Sequence, residues 1–283
     1  MTSEFAPAKV NLTLHITGQR DDGYHLLDSL VMFADVGDEV TVADGTSLSL
    51  EIDGPEAASL PVTNDNSVLH AARLADPDCT ASITLTKNLP VASGIGGGSA
   101  DAAATYRSLV GRGSPRLPDP IEIATVATLG ADVPVCLYSQ TTHMSGIGEQ
   151  LRLLPNLPSV FAVLVNPRIE VSTPDVFRAL ISKKGSPMPT PPEQFGRVQD
   201  LISWVSERRN DLQRPAVTLV PEIGYVLRAI EFSNGCKLSR MSGSGATCFG
   251  LYDNERFAQA AATRLAQLHP QWWVRACMLG GKN

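Results

Sequence analysis

The sequence predicts an α+β fold in which strands and helices are interspersed without strict βα alternation. Three observations carry that expectation: short apolar runs rich in β-branched residues recur along the whole chain, segments with helical spacing separate only some of them, and no stretch repeats an earlier one. With 283 residues and 43% hydrophobic composition, the chain can bury a sizeable core as one large or two medium domains.

Residues 6 to 16 alternate, with Val10, Leu12, Leu14 and Ile16 on one face and Lys9, Asn11, Thr13 and His15 on the other, which predicts a half-buried strand. Further strands are expected at VTVA (40 to 43), LSLEI (48 to 52), SITLT (82 to 86), VFAVLV (160 to 165), ATCFGLY (246 to 252) and WWVRACM (272 to 278). Helical spacing covers 67–75, 99–111, 120–129, 174–183, 194–208, 221–233 and 254–268. Thr173 reads as the cap of a helix starting at Pro174, Gly130 as a stop and Asn254 as another cap. The Pro-rich LPNLPS at 154 to 159 suits a boundary between an N-terminal domain, 1–153, and a C-terminal domain, 154–283. KKGSPMPTPPEQ (183 to 194) reads as an exposed loop that needs no function.

Composition excludes several classes. A formal charge of -6 argues against a phosphate-backbone footprint, so no nucleic acid partner is expected. The longest apolar run, Val160 to Val165, falls far short of the roughly 18 residues that span a bilayer, and MTSEFAPAKV lacks the charged and apolar regions of a signal peptide. No membrane association and a cytoplasmic location are therefore expected. The cysteines (Cys79, Cys136, Cys236, Cys248, Cys277) are scattered, with no CxxC pair and no histidine at ligand spacing, so they read as buried small hydrophobes rather than a metal site.

The most unusual segment is LPVASGIGGGSAD, residues 89 to 101, with four glycines in five positions: Gly94, Gly96, Gly97 and Gly98. It opens a helix whose apolar residues Ala102, Ala103, Tyr106, Leu109 and Val110 share a face. A glycine turn at a helix start exposes free backbone N–H groups at the positive end of the helix dipole, which suits an anion such as phosphate. The run lacks the Lys and hydroxyl pair of GxxxxGK[ST], and Ser99 stands in the third place of GxGxxG, so neither of those motifs describes it. A tight turn needing positive φ is the plain alternative. A second piece, MSGSGATCFGLY (241 to 252), holds Gly243, Ser244 and Gly245 between two strand-like runs, and alone reads equally well as a hairpin loop.

Taken together, LPVASGIGGGSADAA and SGSGAT resemble the GHMP small-molecule kinases. PAKVNLTLHITGQRDDGYHLLDSL (7 to 30), LGADVPVCL (129 to 137) and EVSTPDVF (170 to 177) narrow the resemblance to the branch acting on 4-diphosphocytidyl-2-C-methyl-D-erythritol. The match runs in order over nearly the whole chain. It implies a two-domain GHMP kinase fold with the active site in the interdomain cleft, and ATP-dependent phosphorylation of the substrate's 2-hydroxyl in the non-mevalonate isoprenoid pathway. Lys9 and Asp132 are implied as the catalytic pair, with Asp132 taking the hydroxyl proton and Lys9 stabilising charge. From the residues alone, Asp132 reads as a helix cap and Lys9 as a solvated strand residue.

The resemblance further implies ATP on Pro90, Val91, Ala92, Ser93, Gly94, Ile95, Gly96, Gly97, Gly98, Ser99 and Ala100. Lys87 becomes a phosphate or ribose contact and Asn66 part of the adenine pocket. Mg2+ follows from the reaction type, with Ser99 offering a nearby hydroxyl and no side chain assigned as its ligand. The cytidine end falls on Tyr24, His25 and Phe177, two aromatics sandwiching the pyrimidine, while Asn11 and Thr173 take the phosphate and ribose side. The sequence departs from the family phrase at Ser93, Ile95 and Ala100, the last of which removes a hydroxyl. The implied partner is the small-molecule substrate, with the chain a monomer or homodimer. Another GHMP kinase, or a nucleotide-binding module without catalysis, are the competing readings; retention of both Lys9 and Asp132 speaks against the second.

Overall fold

A computed structural model describes residues 1–111 and 118–280. In chain order its strands and helices are β1 (Thr2–Asn11), β2 (His15–Gln19), β3 (His25–Asp44), β4 (Ser49–Asp53), α1 (Ser67–Ala75), β5 (Ala81–Thr86), α2 (Gly97–Val110), α3 (Pro120–Val126), α4 (Val133–Tyr138), β6 (Thr142–Gly146), β7 (Gln150–Leu153), β8 (Val160–Asn166), α5 (Thr173–Arg178), α6 (Val198–Ser206), α7 (Gln213–Leu219), α8 (Glu222–Glu231), β9 (Leu238–Met241), β10 (Cys248–Tyr252), α9 (Glu255–Leu268) and β11 (Trp273–Leu279). No helix among the described residues is long and apolar enough to cross a membrane.

The chain divides into two compact units. The first comprises Met1–Lys9, Val36–Val91 and Gly96–Ser139; the second comprises Val10–Asp35, Ala92–Ile95 and Gln140–Asn283. This interleaving differs from a single boundary at 153/154. Both β1 and β3 pass from one unit to the other within a continuous strand, and such a crossing leaves no break in composition for a sequence to show.

In the first unit, the second half of β3 pairs antiparallel with β5 (Glu39 opposite Thr86, Asp44 opposite Ala81) and β5 pairs parallel with β4 (Ser49 opposite Ser82). A parallel pair needs a crossover, and α1 supplies it between β4 and β5. Helix α1 starts where Asn66 accepts a hydrogen bond from the Val68 N–H, and α3 starts in a capping box between Asp119 and Glu122. Helix α2 packs against α1 and α4. Its buried residues run continuously from Ala100 to Tyr106, while Val110 is exposed, so the apolar face is broader than the stripe read from spacing.

In the second unit, β8 is central. It lies antiparallel to β11 (Trp273 opposite Asn166) on one side and to β10 (Cys248 opposite Val165) on the other, with β9 beyond β10. Helices α8 and α9 cover this sheet, and Val163, Val165, Val226, Ile230, Tyr252, Ala258 and Leu265 form its core. Burial on both faces explains why VFAVLV is apolar without alternation. The first half of β3 pairs with β2 and β6, and β6 with β7.

The alternating strand expected over 6–16 is two strands, and its polar face is not solvated: Lys9, Asn11, Thr13 and His15 are all buried. Each of the last three has local partners. The Asn11 amide donates to Ser29 Oγ at 2.8 Å, Thr13 Oγ1 accepts the Leu30 N–H at 2.8 Å, and His15 Nε2 accepts the Arg209 N–H at 3.2 Å. The structure also corrects helix ends. Ser172, not Thr173, caps α5, which stops at Arg178, and α6 begins only at Val198 after the Pro-rich loop. Asn254 does cap α9.

Candidate active site

In the first unit, Lys9 of β1 lies 3% exposed with its Nζ 2.6 Å from Asp132 Oδ2. Asp132 holds the position before α4, but its backbone is helical (φ -90°, ψ -11°) and its side chain makes no capping hydrogen bond. The reading of Asp132 as a helix cap, and of Lys9 as a solvated residue, therefore fails. The carboxylate side chain is 37% exposed while its ammonium partner is buried, which leaves the acid reachable by a ligand and its charge compensated from behind. Gly96 lies against this pair: a Cβ there would come within 3.1 Å of Lys9 Cβ and 3.3 Å of Cε.

Gly96 is left-handed (φ 66°) at the N-cap of α2 and offers no side chain, so the first N–H groups of the helix are free of any cap. The positive φ values of Gly94 and Gly96 account for part of the glycine content, and Ala92 adopts the same region without being glycine. Close approach accounts for the rest of Gly94. Within the second unit, a Cβ on Gly94 would stand 2.5 Å from the Gly245 carbonyl oxygen, Ser242 Oγ donates to the Gly94 carbonyl at 3.0 Å, and the Thr247 N–H donates to the Ser93 carbonyl at 3.0 Å. The two glycine-rich segments noted in the sequence are thus packed backbone to backbone at residues 92–95 and 242–247.

Lys87, expected as a phosphate or ribose contact, is held by two carboxylates. It is 2% exposed, and its ammonium bridges Asp38 Oδ2 at 2.5 Å and Asp101 Oδ2 at 2.7 Å. Burial draws the ammonium pKa down, but Asp101 and Asp38 outweigh it and the net shift is upward, so Lys87 stays charged. Burial pushes the Asp101 carboxyl up, against the pull of Lys87. Asp38 and Asp101 were missed in the sequence; the available signal was an aspartate on the buried side of the helix following the glycine run. Asn66 spends its side chain on capping α1.

In the second unit, Asn11 is 1% exposed and its Oδ1 has no hydrogen-bond partner among the described residues, lying 3.4 Å from where a Cβ on Gly243 would stand. Its backbone N–H donates to Ser242 Oγ at 3.1 Å, and Thr173 Oγ1 lies 2.7 Å from Ser244 Oγ. His25 and Phe177 stack on each other with centroids 4.8 Å apart and planes at 29°. Of the three residues expected around the pyrimidine, these two are in contact, and Tyr24 stands 60% exposed before β3. Burial, then the charge of Lys183, lowers the His25 pKa, so its ring is neutral at pH 7, and its buried Nε2 has no hydrogen-bond partner among the described residues. Among the described residues, no group of three His, Cys, Asp or Glu side chains is arranged to hold a metal. The cysteines are free, and burial pushes the Cys136 thiol up to about 12, away from reactivity.

Comparison with known proteins follows the same lines. The family model described as GHMP kinases N terminal domain matches residues 66–140, and that described as GHMP kinases C terminal matches residues 193–271. A relative in Paracoccus denitrificans called 4-diphosphocytidyl-2-C-methyl-D-erythritol kinase is 55% identical over 273 residues, 96% of this chain and 95% of that protein. One of the same name in Roseobacter denitrificans is 50% identical over 279 residues, 98% of this chain and 93% of that protein. A crystal structure of 4-(cytidine 5'-diphospho)-2C-methyl-D-erythritol kinase matches with a TM-score of 0.80 at 32% identity, covering 99% of this chain and 100% of that one. Homoserine kinase from Cytophaga hutchinsonii shares the fold at a TM-score of 0.65 and 18% identity, over 98% of this chain and 93% of that one. With half its sequence held in common over nearly its whole length, the chain belongs to the 4-diphosphocytidyl-2-C-methyl-D-erythritol kinase family of GHMP kinases.

Proposed function

We propose that this chain transfers the γ-phosphoryl group of ATP to the 2-hydroxyl of 4-diphosphocytidyl-2-C-methyl-D-erythritol, giving ADP and the 2-phosphate in isoprenoid precursor synthesis. The observation that carries the chemistry is the 2.6 Å Lys9–Asp132 pair, with Asp132 free of any capping duty. Phosphoryl transfer asks a protein mainly for positioning and charge stabilisation. Asp132 accepts the hydroxyl proton as the new P–O bond forms; Lys9, ion-paired with that carboxylate, stabilises the negative charge on the attacking oxygen. The uncapped N–H groups of Gly97, Gly98 and Ser99 bind the transferred phosphate, and the remainder of 90–100 cradles the nucleotide.

ATP brings Mg2+, which neutralises phosphate charge when bound; Ser99 and the exposed edge of Asp132 are the oxygen donors available to it. The neutral His25 ring, stacked on Phe177 with an unpartnered Nε2, suits a pyrimidine and its polar edge, with Tyr24 beside it in sequence. The free Asn11 Oδ1 and the Thr173–Ser244 hydroxyl pair suit the ribose and diphosphate side. The same reading places the enzyme in the cytoplasm as a monomer or homodimer.

The test is ADP release with Mg-ATP against 4-diphosphocytidyl-2-C-methyl-D-erythritol, mevalonate, homoserine and galactose. Turnover of the cytidine compound alone is expected. Turnover of another substrate in its place would overturn the cytidine assignment, and no turnover despite ATP binding would overturn the kinase reading in favour of a binding module.

A further inference from the structure

Three buried charges in the first unit stand outside the chemistry proposed above. Asp38 of β3, Lys87 after β5 and Asp101 of α2 come from sites 49 and 14 residues apart in sequence, and their side chains are at most 3% exposed. A buried ion group is a costly way to gain stability, because desolvation offsets most of the attraction. Its placement suggests another use. Asp38 Oδ1 accepts the N–H groups of Asn88 and Leu89 at 2.6 and 2.8 Å, fixing the segment that leads into the glycine loop. Asp101 sits in the helix that leaves the loop, and a Cβ on Gly97, the first residue of that helix, would lie 3.2 Å from Lys87 Nζ and 3.7 Å from Asp38 Oδ2. The group therefore ties the residues before the loop to those after it.

We propose that Asp38, Lys87 and Asp101 are positioning residues for the nucleotide phosphates, a carboxylate–ammonium–carboxylate clamp that holds the start of α2 so that its free N–H groups are preformed as an anion seat. None of the three touches the ligand. Lys87 cannot serve as a mobile phosphate contact while it bridges two carboxylates, and Gly97 is glycine because a side chain would press on the clamp. Among the described residues Asp101 Oδ1 has no hydrogen-bond partner, so Asp101 is tied into the group through Oδ2, which accepts from Lys87 at 2.7 Å. The inference rests on the ATP reading above.

The test compares wild type with Asp101→Ala and Asp101→Asn. The readouts are Kd for a non-hydrolysable ATP analogue, kcat and both KM values, Tm, and hydrogen–deuterium exchange of the residue 96–100 amides without ligand. Displacing a preformed group by about 1 Å costs up to about a hundredfold, so Asp101→Ala is expected to raise analogue Kd and ATP KM by about 10- to 100-fold. Because those N–H groups hold the transferred phosphate, kcat should fall as well, while KM for the cytidine substrate should stay within about threefold. The 96–100 amides should exchange faster, and Asn, which still offers Lys87 an amide oxygen, should recover most of the loss. If Asp101→Ala fails to fold, Asp101→Asn carries the test, through an intermediate rise in analogue Kd and faster 96–100 exchange. A lowered Tm with unchanged analogue Kd and unchanged exchange would overturn the inference, leaving a clamp that only stabilises. Failure of wild type to bind the analogue would instead overturn the ATP reading and this inference with it.

Discussion

Asp132→Asn separates catalysis from structure more sharply than any other substitution in this chain. Asparagine has the same shape, can still accept one hydrogen bond from Lys9 and replaces no capping interaction, because Asp132 makes none. The carboxylate is 37% exposed, which screens the pair, but asparagine leaves the buried Lys9 ammonium with a weaker partner, so a loss of about 1–3 kcal/mol is expected. For a chain of this size that is a Tm change of about 2–12 °C. The proton-accepting charge is lost entirely, and a positioned general base is worth about 10²- to 10⁴-fold in rate. At about 1.4 kcal/mol per decade, the barrier rises by about 3–5 kcal/mol. The assay is coupled ADP release at saturating ATP and cytidine substrate, with Tm from thermal denaturation and ATP binding by calorimetry. We expect kcat to fall by at least a hundredfold with ATP Kd within a few-fold. A kcat within tenfold of wild type in a folded, ATP-binding variant would refute the assignment of Asp132 as base.

Three further outcomes are expected. Gly94→Ala must place a Cβ 2.5 Å from the Gly245 carbonyl oxygen at a φ of +74°, where left-handed backbone alone costs about 1–2 kcal/mol, so Tm should drop by about 6 °C or more. Gly98→Ala meets nothing closer than Ser67 Oγ at 3.7 Å and should leave Tm unchanged or higher, and equal Tm values for the two variants would contradict the packing described. Phe177→Ala removes the stack on His25 and should raise the KM of the cytidine substrate by about tenfold while ATP KM stays within about twofold; equal effects on both would refute the pocket assignment. Burial, then Arg209, lowers the His15 pKa, so the unfolded chain takes up a proton near pH 6.5 that the folded chain refuses until lower pH. The stabilising contribution of neutral His15 is therefore present above pH 6.5 and lost as pH falls, and Tm should drop from pH 7.5 to 5 less steeply in His15→Gln; parallel slopes would rule this out.

Much of the site is legible before any folding is considered, because its signals are local. Glycine at 94 and 96 marks left-handed backbone, the free start of α2 follows from a run without capping side chains, and the alternation of β1 sets Lys9 and Asn11 on one face. Asn254 declares a helix start in the same local way. Other features depend on residues brought together from far apart. Asp28 and Asp38 interrupt the apolar pattern of β3, and nothing near them in sequence indicates that His143 and Lys87 satisfy them within a 20-residue strand. Asp132 reads as a helix cap until Lys9, 123 residues earlier, is found 2.6 Å from its carboxylate. Lys87 looks like a ligand contact until Asp38 and Asp101 claim it. The difference is physical: a backbone conformation is chosen by the residue that adopts it and its neighbours, whereas a buried charge is tolerated only when its partner is delivered by the packed chain.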